Sequence, residues 1–87
     1  MGYVLAMIKA DVLILSRVRE NAASGAARRT RLAARLSLTE IAALCGVDPS
    51  TVWRWEQGKR APRGEPALLY AQVLGDLTAQ VSAEASR

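Results

Sequence analysis

Apolar residues group into separate helical patterns along the chain, divided by glycines and prolines. In the first, Leu5, Ile8, Val12 and Leu15 recur at intervals of three, four and three, which is a helical stripe that also takes in Val4. The run Val12-Leu13-Ile14-Leu15 is apolar on every side and partly β-branched, so a strand is the alternative there, with residues 9–11 as its turn. Residues 22–27 are small, and Gly25 interrupts the pattern. Ser24 is placed to cap a helix that starts at Gly25 or Ala26 and runs through the arginines to about Arg35.

The second half is more sharply punctuated. Ser37 is followed three residues later by Glu40, just ahead of an apolar run, the spacing of a capping box. The predicted helix covers 38–45 and stops at Gly46 in a left-handed C′ position. Asp48 then precedes Pro49. Asp is a good N-cap, and Pro suits the first helical position because its missing N–H has no intrahelical partner there. A helix over 49–57 ends at Gly58. Pro62 and Gly64 mark a loop. A further helix covers 65–74, with Leu68, Ala71 and Leu74 on one side and Gly75 as its stop. Residues 76–87 hold few large apolar groups and predict a short, fraying helix.

Composition narrows the class. Of 87 residues, 51% are hydrophobic, mostly Ala and Leu, and Phe is absent. Ala and Leu favour helix, so the pattern predicts one small all-α domain. There is no His, and Cys45 is alone. Zinc sites of clustered Cys and His, His-based triads and an internal disulfide are thereby excluded. Cys45 reads as a small buried residue and Tyr70 as half-buried packing. Residues 3–15 are too short to span a bilayer, contain Lys9 and Asp11, and lack the basic leading region of a signal sequence. The expected location is the cytoplasm.

The net charge of +4 is unevenly spread. Residues 21–37 carry Arg28, Arg29, Arg31 and Arg35 with no acid, and residues 59–63 carry Lys59, Arg60 and Arg63 with none. Between them lies a near-neutral stretch. Two such clusters suit phosphate groups, although solvated helix faces look the same on charge alone.

Two short helices joined by a few residues with a Gly in the turn form a helix-turn-helix arrangement. Close crossing needs a small residue, and Ala42 falls where the helices meet. Ile41, Leu44, Val47, Val52 and Trp55 are expected to share the core. Ser50, Trp53, Arg54 and Gln57 fall on the opposite face of the second helix. Ser50 lies in the turn that enters the major groove, and Arg54 has the fork that pairs with guanine O6 and N7.

These residues carry a resemblance. Leu36-Ser37, Glu40-Ile41-Ala42, Gly46-Val47, Ser50-Thr51-Val52, Trp55-Glu56 and Gly58-Lys59-Arg60 with Pro62 resemble the lambda-repressor/Cro-like helix-turn-helix family over about residues 26–75. The resemblance implies a compact five-helix DNA-binding domain over residues 22–75, with residues 1–21 as an extra apolar segment and 76–87 as a tail. It implies base reading by Pro49, Ser50 and Arg54. Gln57 and Lys59 match positions that hold phosphates. Thr39, Thr51, Trp53, Arg60 and Arg63 complete the expected backbone set, with Trp53 alternatively covering the edge of the core. Arg31 matches an arginine that pairs with the glutamate at Glu56. Three positions depart from the family. Leu38 stands where Gln is frequent, so a DNA contact is lost there, and Thr39 replaces part of it. Arg35 stands where Gly is frequent, at a cost of roughly 1 kcal/mol if left-handed. Pro49 offers a base nothing beyond a touch on a thymine methyl.

The expected function is a transcriptional regulator that binds double-stranded DNA, Cro- or repressor-like, phage or bacterial, and homodimeric. The alternatives are an antitoxin-type protein-interaction module using residues 1–20, and an excision-control protein. No cofactor, metal, small-molecule ligand or membrane is expected. An enzyme is not expected either, since capping or pairing accounts for Glu40, Asp48 and Glu56.

Overall fold

The computed structural model describes residues 2–85, with side chains for 9–84. These form five helices: α1 (Gly2–Ser24), α2 (Ala26–Ala33), α3 (Leu38–Cys45), α4 (Pro49–Glu56) and α5 (Gly64–Ala85). No strand occurs among the described residues, and the N-terminal segment is itself the first of the five helices. Helix α5 is the spine. It packs against α1, α2 and α3, while α3 packs on α4 and α1 on both α2 and α4.

The core collects side chains from every helix. Val18 and Ala22 come from α1, Ala27 from α2, and Ile41, Ala42 and Cys45 from α3. Val52 and Trp55 enter from α4, and Ala67, Tyr70 and Leu74 from α5. Ala42 is buried, as a close crossing of α3 and α4 requires.

Local chemistry explains most boundaries. At the α1–α2 joint Gly25 has φ 89°, and the Ala26 N–H donates to Ser24 Oγ at 3.3 Å. Helix α2 ends in a Schellman motif: Leu36 N–H donates to Arg31 O and Arg35 N–H to Leu32 O. The left-handed residue is Arg35 itself, at φ 59°, so a non-glycine holds a glycine's conformation there. Helix α3 opens with the complete capping box. Glu40 N–H donates to Ser37 Oγ at 3.0 Å, and Ser37 N–H to Glu40 Oε1 at 2.9 Å. The Ser37 backbone N–H, followed by its side-chain hydroxyl, holds the Glu40 carboxyl below its ordinary range. Gly46 is left-handed and ends the helix. Asp48 occupies the N-cap of α4 through its backbone, but its side chain makes no capping bond.

Several expectations are corrected. Residues 12–15 are helical, so the strand alternative is excluded. The inner row of α1 runs through Leu15, Val18 and Ala22, and Val12 lies off it at 56% exposed. The side chains of Val4, Leu5 and Ile8 fall outside the described ones. Leu44 is exposed, while Cys45 beside it is buried as expected. Tyr70 is fully buried. Gly75 does not stop α5, which continues to Ala85. Leu77 packs on the core one turn beyond Leu74, and that row carries the helix across a glycine that costs about 1 kcal/mol.

Among the described residues no helix is long and apolar enough to cross a membrane. No group of three or more His, Cys, Asp or Glu residues there is placed to hold a metal ion.

Candidate nucleic-acid interface

Eight residues of α4 separate into two faces. Val52, Trp55 and Glu56, spaced as neighbours on one side of a helix, are buried. Ser50, Trp53 and Arg54 lie on the other side and are exposed, as is Gln57, the C-cap residue that follows. Pro49 is exposed at the start of the helix, and Thr51 is half-buried between the faces. The side chains of Ser50, Arg54 and Gln57 make no hydrogen bond within the described residues, so their donors and acceptors remain free for an outside partner.

The inner face is held by an ion pair. Arg31 Nε donates to Glu56 Oε2 at 2.6 Å and Nη2 to Oε1 at 2.9 Å, a bidentate fork. The third arm, Nη1, donates to Leu36 O at 2.9 Å. One guanidinium thus ties the end of α2, the α2–α3 turn and the last residue of α4 together. The hydrogen bond that Arg31 donates to Glu56 raises the Arg31 pKa above its ordinary value, against the opposing effect of burial. Behind the pair, Tyr70 lies 4.7 Å from Trp55, ring centre to ring centre, and its hydroxyl is buried without a hydrogen-bond partner. Burial keeps the Tyr70 phenol well above its usual range.

Basic groups follow on the loop that leaves α4. The α4–α5 loop exposes Lys59, Arg60 and Arg63. A second Schellman motif shapes its start: Lys59 N–H donates to Arg54 O, Gly58 N–H donates to Trp55 O, and Gly58 has φ 71°. The Lys59 ammonium sits 5.0 Å from the centre of the Trp53 ring, in cation–π range. Trp53 is 40% exposed, so it both borders the outer face and steadies the first basic residue of the loop. On α3, Thr39 is exposed in the first turn, and Leu38 beside it packs against the core. Arg28 and Arg29 on α2 and Arg35 in the following turn are also exposed.

A contact missing from the sequence reading is Arg19 of α1, whose Nε donates to Pro62 O at 2.8 Å. The partners lie 43 residues apart, and no local pattern marks either as one.

Neither a curated protein nor a solved structure matches the chain. A sequence model of the helix-turn-helix family matches residues 28–80, more than half the chain, from within α2 into the second half of α5. The match spans the α3–α4 pair and the loop that follows it, where the bonded inner face and the unbonded outer face of α4 were found, and so the chain belongs to the Cro/C1-type helix-turn-helix family of DNA-binding regulators.

Proposed function

We propose that this chain is a sequence-specific reader of double-stranded DNA. It acts as a Cro- or repressor-like transcriptional regulator of phage or bacterial origin, in the cytoplasm and as a homodimer. Helix α4 lies in the major groove. Ser50 and Arg54 read base edges there, and Pro49 touches a thymine methyl. Thr39, Thr51, Trp53, Gln57, Lys59, Arg60 and Arg63 hold the phosphate backbone. The observation that carries this reading is the outer face of α4, where Arg54 is exposed with its donors unpaired beside the basic loop.

The decisive experiment is footprinting on DNA flanking the chain's own gene, with binding measured over a salt series. A protected site and an affinity that falls steeply with salt are expected. Affinity independent of salt, or no preference for any sequence, overturns the reading.

A palindromic site needs two recognition helices about 34 Å apart, so some surface must pair two copies. Helix α1 offers one. Leu13 is 60% exposed and Ile14 42%, next to the exposed Val12. The same surface favours a second reading, an antitoxin-type module that grips a different protein. Sedimentation separates the two. A two-chain mass that Leu13→Ser reduces to one chain supports the homodimer, and a monomer unaffected by Leu13→Ser overturns it.

A further inference from the structure

Helix α1 precedes the family-matched segment, yet it reaches the loop that carries Lys59, Arg60 and Arg63. That loop has an inner anchor and an outer charged rim. Pro62 is fully buried, while the basic residues around it are exposed. The two Schellman bonds to Arg54 O and Trp55 O hold the first part of the loop. Farther along, Pro62 has no N–H to contribute to a backbone bond, and its carbonyl accepts from Arg19 Nε at 2.8 Å. A guanidinium donor makes a shorter and stronger bond to a carbonyl than a neutral donor does. The bond joins two elements far apart in the chain, so it constrains the loop as no local turn can.

Resting on the DNA-binding reading above, we propose that Arg19 is a positioning residue for phosphate binding. It holds the 59–63 loop in the shape that presents Lys59, Arg60 and Arg63 together, and it makes α1 a working part of the DNA-binding unit. A loop already in its bound shape loses less conformational entropy when DNA arrives. Three long basic side chains on an untethered loop would reach the same phosphates more rarely.

The test uses the full chain and a short random-sequence duplex, with binding followed by fluorescence anisotropy over a salt series. Arg19→Met and Arg19→Lys are compared in two backgrounds: the parent, and a variant with Lys59, Arg60 and Arg63 all changed to Ala. In the parent, Arg19→Met is expected to weaken binding roughly tenfold near 0.1 M salt and to flatten the salt slope by about one to two. Arg19→Lys should recover part of the loss. In the loop-neutralised background Arg19→Met should change nothing further, because the groups it positions are gone. An equal loss in both backgrounds overturns the proposal, since Arg19 would then act on DNA independently. No loss in the parent overturns it too.

Backbone NMR relaxation of the free protein reads the tether without DNA. Lower order parameters at the Arg60, Ala61, Arg63 and Gly64 amides are expected in Arg19→Met and not in Arg17→Met. Unchanged order parameters overturn the tether. If they fall while affinity holds, the tether is real and the positioning role is wrong. If the parent itself binds no duplex, the DNA reading fails and the role with it, while the relaxation result still stands on its own.

Discussion

On the inner side of α4, Glu56 is 7% exposed and accepts two hydrogen bonds from Arg31. On the outer side, two residues earlier, Arg54 is exposed and its guanidinium bonds to nothing among the described residues. The difference shows how one short helix serves both folding and recognition. A buried charge is tolerable only when its polar atoms are taken up inside the protein. An exposed guanidinium keeps its donors hydrated until a partner replaces the water. Substitutions on the two sides should therefore separate into losses of stability and losses of binding.

The largest effect is expected on the inner side. Glu56→Ala leaves Arg31 buried without its counter-charge and should cost roughly 3–5 kcal/mol of folding stability. Differential scanning calorimetry should show melting more than about 10 °C lower, since 1 kcal/mol moves a domain of this size by several degrees. A variant that melts like the parent would remove the ion pair from the account of the fold.

Alkaline pH probes the same buried side. Burial pushes the Cys45 thiol up to about 11 from an ordinary 9.0. A group with a raised folded pKa contributes stability that is complete below its unfolded pKa and is lost as pH rises through the folded one. Stability should thus hold up to about pH 9 and decline toward pH 11, by roughly 2–3 kcal/mol for a shift of this size. Tyr70, raised in the same direction, extends the decline to higher pH. Denaturant unfolding of the parent and of Cys45→Ala across this range checks it. The variant's curve should be flatter between pH 9 and 11, and parallel curves would show that the thiol does not ionise on unfolding.

The outer side should respond in binding alone. Arg54→Ala is expected to cost about 1–3 kcal/mol on the specific site and to relax preference at one base pair, with unchanged melting. A fall in melting temperature comparable to that of Glu56→Ala would erase the distinction between the faces.

The smallest effect belongs to the rim. Lys59→Ala should weaken binding about equally on specific and random duplexes and flatten the salt slope by about one. A loss confined to the specific site would move Lys59 from backbone contact to base reading.

Legibility in the sequence followed the range of the interactions. The limits of α3 and α4 were readable because their signals lie within a few residues of each end: Ser37 with Glu40, Gly46, Pro49 after Asp48, and Gly58. Spacing set Val52 and Trp55 apart from the outer face of α4, while the place of Glu56 beside Arg31 came from the family resemblance. Cys45 was read as buried, but Leu44 beside it was placed in the core too, and the packing of α3 on α5 and α4 leaves room for only one of the two. Gly75 was misread as a stop because its local cost was visible, while the packing of Leu77 that offsets it was not. Asp48 had the right position, but whether its side chain closes a capping bond depends on geometry that spacing does not determine.

The sequence by itself determined a helical domain after the first segment, the ends of its two central helices and the polar outer face of α4. Each of these rests on propensity, capping or periodicity, which act over one or two turns. Tertiary structure alone decided that α1 is one continuous helix with Val18 and Ala22 in the core, that α5 passes through Gly75, and that Tyr70 is fully enclosed. It also decided that Arg19 meets Pro62. These features depend on which surfaces meet after the chain folds back on itself, and a contact across 43 residues leaves no periodic trace in the residues between.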